Sequence, residues 1–128
     1  MVATGSSFGW LSMNHPSLSW LMFTASGLGP FSGQAFHFAN VHKDSAYATN
    51  RYLREVERHF SVLDKRLAAT RWLAGPSYTI ADMAIFPWAA RHEWHTVNLA
   101  DFPNVKRWYV AINARPAVTK GMAVPYLN

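Results

Sequence analysis

The stretch Ser77-Tyr78-Thr79-Ile80-Ala81-Asp82-Met83-Ala84-Ile85-Phe86-Pro87-Trp88 constrains this chain more than any other. Thr79 with an acid three residues later spells a helix start. The Thr79 hydroxyl can accept from a backbone N–H near Asp82, and the Asp82 carboxylate can reach back to the N–H of Thr79. An acid in the first turn also meets the positive end of the helix dipole. Tyr78 and Met83 are spaced to form a hydrophobic staple. From Met83 to Ala90 no residue is charged, and a helix that is apolar all round is normally buried on all sides. The sequence therefore predicts a capped central helix, running to about residues 93–96, with the other elements packed around it. Pro87 inside it removes one backbone hydrogen bond and predicts a kink or interruption near Ile85 and Phe86. Capping accounts for Asp82 without a catalytic role, and Asp82→Ala is expected to cost about 0.5–2 kcal/mol on that basis.

The flanking segments read as helices too. Leu53, Val56, Phe60, Leu63 and Leu67 recur at steps of three and four within Ser45–Thr70, the signature of one helix face. Arg54, Glu57, Arg58, Lys65 and Arg66 occupy the opposite face. Arg51–Glu55 and Glu55–His59 are candidate i,i+4 pairs. Before this, Ser17–Ala39 is helical with Ser17 as its cap, and Gly27-Leu28-Gly29-Pro30 is expected to break or bend it. Asn40–Asp44 is a polar connection. Trp72-Leu73-Ala74-Gly75-Pro76 is a turn. Asp101 is placed to cap a helix with Pro103 in its first turn and Val105, Trp108, Tyr109 and Ile112 on its buried face. Arg115-Pro116 ends that helix, and one more short helix follows over 116–121. No strand pattern stands out. The fold class expected is all-α, a bundle of about five helices over residues 17–124, with an irregular leader over 1–16 and a tail over 125–128.

Charge is unevenly spread. All 19 charged side chains lie at or after Lys43. An uncharged first third suggests a surface that expects a partner. The net charge of +5 comes from basic residues dispersed among acids along helices, which reads as a solvated surface rather than a nucleic-acid footprint. Arg71-Trp72 and Arg107-Trp108 could stack on bases, but both indoles fit the buried pattern better. The chain has no cysteine, which excludes disulfides, zinc–thiolate sites and a thiol nucleophile within it. No secretory signal or membrane span is legible. Six histidines include His37 and His42, and His92 and His95 with Glu93 between them. A third ligand at a defined offset is missing, so no metal is expected. No Ser-His-Asp arrangement, phosphate loop or carboxylate pair can be argued from spacing.

The string Gly27-Leu28-Gly29-Pro30-Phe31-Ser32-Gly33-Gln34-Ala35-Phe36-His37-Phe38 resembles the first C-domain helix of the YfcG-like, or nu-class, glutathione transferases. Tyr47 through Tyr52, Leu63 through Leu67, Trp72 through Gly75, Tyr78 through Trp88, Asp101 through Trp108 and Ala114 through Val118 follow in that family's order. The capping motif is shared by most glutathione transferases, whereas the Gly-Leu-Gly-Pro…Gly-Gln…His-Phe string is specific to this subgroup. The resemblance covers residues 17–124. It implies a helical domain that normally follows a thioredoxin-like, glutathione-binding domain. No βαβ unit precedes Ser17, so the chain reads as an isolated or truncated C-terminal half.

What the resemblance implies for the site is specific. Arg51, between Tyr47 and Tyr52, resembles the arginine that reaches glutathione across the dimer interface; a surface pair with Glu55 is the plainer alternative. Phe31, Gln34, Phe36, His37 and Phe38, with Tyr47, are the candidates for lining the electrophile pocket, or else they simply pack helices. Phe36 stands where the family often has His, which changes the pocket's polarity. Glutathione is the implied co-substrate, and a homodimer or a thioredoxin-like domain in trans the implied partner, in the cytoplasm. Transferase or disulfide-reductase chemistry would need the absent domain. The alternatives are a non-catalytic protein-interaction module or a truncated gene product.

Overall fold

The computed structural model describes residues 15–124, and all five of its helices come from the patterns above. The leader before His15 and the tail after Val124 lie outside the described residues.

Helix α1 spans residues 16–41 without a break. It is α-helical over Pro16–Phe23 and Gly29–Phe36, and π-helical over Thr24–Leu28 and His37–Val41. The break expected at Gly27–Pro30 does not occur. The wider π turn pairs the Gly29 N–H with the Thr24 carbonyl, so Pro30, which has no N–H to give, falls in the first turn of the next α-helical stretch, where a donor is dispensable. The helix also starts one residue earlier than expected. Pro16 opens it with His15 at the cap position, and Ser17 makes no cap.

Helix α2 (Ala46–Ala69) starts where Ser45 Oγ accepts the Ala48 N–H at 3.2 Å. Val56, Phe60, Leu63 and Leu67 are buried along one face, as their spacing requires. Its last carbonyls, orphaned by helix geometry, are taken by an arginine from another element: Arg107 donates to the Leu67 oxygen at 2.8 Å and to the Thr70 oxygen at 3.3 Å. In the turn that follows, Trp72 and Gly75 exchange two backbone hydrogen bonds, and Gly75 has φ +136°, a conformation that favours glycine.

Helix α3 (Ile80–Ala89) is the central helix. Ala81, Asp82, Ile85, Phe86 and Ala89 are buried. The Thr79–Asp82 capping box is formed, with the Thr79 N–H donating to Asp82 Oδ2 at 3.0 Å and Thr79 Oγ1 accepting from Ala81 at 3.3 Å. Asp82 does more than cap. Its Oδ1 accepts the Leu73 N–H at 3.1 Å and the Trp108 indole N–H at 2.8 Å, and the residue is fully buried. The helix passes through Pro87 and stops at Ala89, short of the expected end, and a 3-10 turn over His92–His95 closes on Thr96 with φ +58°. Met83 stays 51% exposed, lining with Tyr78 one side of a surface groove.

Helix α4 (Pro103–Asn113) buries Val105, Trp108 and Ile112. Asp101 does not cap it. The capping group is Asp64 of α2, whose Oδ1 accepts the Asn104 and Val105 N–H groups at 2.8 and 3.0 Å while Oδ2 accepts the Asn104 side chain at 3.1 Å. Helix α5 (Pro116–Met122) packs back on α4. The first part of α1 lies on α3 and its second part on α2, while α4 fills the space between α2 and α3. One apolar core, from Leu28 and Ala35 through Phe60, Leu63, Ile85 and Phe86 to Trp108, joins all four long helices.

Candidate functional site

Tyr47 and Arg51 stand one turn apart on α2, on the face turned away from the core. Both are exposed, Tyr47 at 76%. With Asn50, Arg54 and Glu55 they line a hollow of about 390 Å³. Every wall residue belongs to α2, so the hollow has one side only, and enclosing a ligand there requires a second body.

The electrostatics of this hollow turn on Glu55. Its carboxylate does not take Arg51. It pairs with Arg58, one turn further on, at 3.0 Å, and this hydrogen bond holds its pKa below the usual carboxylate range. Neither candidate i,i+4 pair forms through the Glu55 carboxylate; His59 Nδ1 instead lies 2.6 Å from the Glu55 backbone oxygen. With Glu55 engaged elsewhere, the Arg51 guanidinium has no ion-pair partner among the described residues. A guanidinium in that position offers a flat fork of donors to a carboxylate. Arg54 and Asn50 add donors beside it, a contribution the Arg51-x-x-Arg54 spacing could have signalled.

The aromatic candidates of α1 are divided. Phe31 and Phe38 turn inward onto α2: Phe31 lies 5.9 Å from Tyr52 and 5.6 Å from His59, and Phe38 stacks on Tyr52 at 5.6 Å, nearly parallel. Phe36 faces Trp94 at 5.0 Å. His37 lies between Phe38 at 5.2 Å and His42 at 4.8 Å. Gln34 is exposed. Tyr52 thus ties the α1 aromatics to the helix that carries Arg51. Phe31, Phe36 and Phe38 each pack on a neighbouring ring.

His92 and His95 part company. His95 is 2% exposed. Burial, and then the charge of neighbouring His92, push its pKa down to about 4, against a hydrogen bond to the Ser32 backbone. Among the described residues no three His, Asp or Glu side chains gather as metal ligands would, and no helix is long and apolar enough to cross a membrane.

The family model of the glutathione S-transferase C-terminal domain matches residues 9–116. The chain belongs to that family. Within it, the chain is 39% identical over 107 residues to the disulfide-bond oxidoreductase YfcG of Escherichia coli, covering 83% of this chain and 50% of that protein. It superposes with a TM-score of 0.77 and 34% identity on a glutathione transferase of Burkholderia graminis solved with two glutathione molecules per subunit, covering 88% of this chain and 50% of that one. The nitrogen regulation fragment of the yeast prion protein Ure2p matches at a TM-score of 0.83 and 35% identity, over 90% and 56% of the two chains. This glutathione S-transferase C-terminal domain therefore spans about half the length of the relatives it matches.

Within such a domain, Asp82 and Thr79 hold the start of the central helix, while Arg51 is exposed on α2.

Proposed function

We propose that this domain supplies half of a glutathione site, with Arg51 binding a glutathione carboxylate across a homodimer interface. The observation that carries the reading is the unpaired Arg51 guanidinium beside a one-sided hollow. The thiol of glutathione is activated on a thioredoxin-like domain, supplied upstream in the same polypeptide or by a separate chain. The thiolate then attacks a disulfide sulfur, whose S–S bond breaks to release a thiolate, or it attacks an electrophilic carbon and forms a thioether as that carbon's bond to a leaving anion breaks. Phe31, Gln34, Phe36, His37, Phe38 and Tyr47 shape the side that receives the second substrate, and Phe36 makes that side more apolar than a His would. Glutathione is the co-substrate, and the cytoplasm, where it is kept reduced, is the compartment.

The test is glutathione-dependent reduction of a small disulfide. The domain alone gives no turnover. Mixed with the thioredoxin-like half of a family member it gives turnover, and Arg51→Ala raises KM for glutathione more than it lowers kcat. Turnover by the domain alone, or an unchanged KM in the variant, would contradict the proposal.

A second reading, a protein-docking module, is favoured by one feature. Helix α1 carries no charged side chain and leaves Leu18 and Met22 56% and 54% exposed. It would show as a defined heteromer indifferent to glutathione.

A further inference from the structure

A pocket of about 160 Å³ lies between α2 and the chain that links α3 to α4. Arg54 and Glu57 line it from α2, and His95, Thr96, Asn98 and Asp101 line it from the linking chain. Arg54 also borders the hollow beside Arg51, but neither Arg51 nor Tyr47 takes part here. The linking chain is fixed by its own hydrogen bonds. The Val97 N–H donates to the His92 carbonyl at 3.0 Å, and His92 Nδ1 lies 2.8 Å from the Val97 oxygen. Asn98 Oδ1 accepts the Ala100 N–H at 3.0 Å, which leaves the Asn98 side-chain N–H groups available. A wall held in place this way gives up little freedom when a ligand arrives.

Two observations call for a polar occupant. Buried His95 has no hydrogen-bond partner at Nδ1 among the described residues, and a buried ring nitrogen left unpaired is costly. The low pKa of His95 keeps its ring neutral at neutral pH, so with the proton on Nε2 the free Nδ1 is an acceptor. Arg54, Glu57 and Asp101 bring both signs of charge to the same small space. None of the three is paired, since among the described residues the one ion pair is Arg58 with Glu55. Thr96, in the same wall, has a left-handed backbone with φ +58°. A β-branched residue rarely adopts that conformation, and such residues gather at binding sites.

We propose that this pocket binds a small free α-amino acid, of the size of glycine or alanine, with its carboxylate on Arg54 and its ammonium on Glu57 and Asp101. The ammonium carries three N–H donors, so it also supplies the donor that His95 Nδ1 lacks. Charge selects a zwitterion. A lone anion would meet Glu57 and Asp101, and a lone cation would meet Arg54, each a like-charge contact. Size selects a short one. The pocket's 160 Å³ is the share of about five water molecules, which suits a molecule of about five or six heavy atoms. Glutathione is several times larger, so this site does not rest on the reading of Arg51.

The experiment adds alanine, acetate and methylamine in turn to the isotope-labelled intact chain and follows it by NMR. Each is carried to about 50 mM at constant ionic strength, because so small a ligand binds weakly. Alanine is expected to give saturable shifts at the His95 ring and at the Thr96, Val97 and Asn98 amides. Acetate and methylamine, which each carry one of its two charges, bind about tenfold more weakly or worse. Arg54→Gln and Glu57→Gln each weaken alanine by about tenfold or more. Both side chains are exposed, so the urea midpoints of these variants stay in place. Three results would overturn the proposal: no saturable response to alanine in the folded chain, acetate or methylamine binding as tightly as alanine, or unaltered alanine affinity in both variants. A final arm adds glutathione to the alanine-saturated chain. Shifts at Tyr47 and Arg51 with alanine still bound keep the two sites separate, as proposed. Displacement of alanine would assign the pocket to one end of the peptide and overturn the free amino acid as its ligand.

Discussion

The indole N–H of Trp108 donates to Asp82 Oδ1 at 2.8 Å, joining α4 to the capping residue of α3 across 26 positions of sequence. The same oxygen holds the Leu73 N–H of the preceding turn, and the other oxygen holds the Thr79 N–H. One buried carboxylate therefore locks together a helix start, a turn and a neighbouring helix. Asp82→Ala leaves two buried donors, the Leu73 N–H and the Trp108 indole N–H, unpaired, each costing about 1–3 kcal/mol, and also frees the half-buried Thr79 N–H. The expected loss is about 3–5 kcal/mol, well above the capping range, whereas Thr79→Ala is expected to lose only about 0.5–2 kcal/mol. Urea unfolding of both variants checks this; equal losses would reduce Asp82 to a cap.

Asp64 caps α4 from another helix. Asp64→Ala is expected to cost about 1–3 kcal/mol, and Asp101→Ala less than about 0.5 kcal/mol. The urea midpoints of the two variants distinguish them, and a reversed order would restore Asp101 as the cap.

How much of this was legible follows from where each partner lies. The Thr79–Asp82 box and the Val56–Phe60–Leu63–Leu67 stripe depend on residues within one or two turns, and the sequence displays them. The family string from Gly27 to Phe38 added the fold. Asp64 and Arg107 reach across to the ends of other helices, and the Trp108–Asp82 bond closes only once α3 and α4 have packed. Local spacing carries no trace of these. The unbroken α1 was hidden for a related reason: a π turn absorbs Pro30, and composition alone reads Gly-Leu-Gly-Pro as a stop. At the site, the exposure of Arg51 was legible, but the choice of Arg58 as Glu55's partner was not, since three- and four-residue spacings compete on one helix face.

Two glycines of α1 should respond oppositely to alanine. A Cβ on Gly27 would stand 2.5 Å from Nε2 of His59, which is buried, while a Cβ on Gly33 meets nothing within 4 Å. Gly27→Ala is expected to destabilise by about 1–3 kcal/mol through overpacking. Gly33→Ala is expected to stabilise by about 0.5–1 kcal/mol through helix propensity. Thermal unfolding of the two variants checks both signs.

Stability should fall on acidification through His95. Its pKa in the folded chain is about 4, below the ordinary value of about 6.5 that the unfolded chain has. Between those values the unfolded state binds more protons, so the contribution is present above about pH 6.5 and lost as pH falls toward 4. The expected loss is at most about 3 kcal/mol. In His95→Gln this component of the pH slope should vanish; an unchanged slope would locate the titration elsewhere.

The most direct measurement is an NMR-detected titration of the isotope-labelled chain with reduced and oxidised glutathione, extended to millimolar concentrations because a one-sided hollow binds weakly. The predicted result is saturable shifts centred on the amides of Tyr47, Asn50 and Arg51, lost in Arg51→Ala. Shifts that persist in Arg51→Ala, or a folded chain whose spectrum does not respond at all, would contradict the assignment of Arg51 as the glutathione contact.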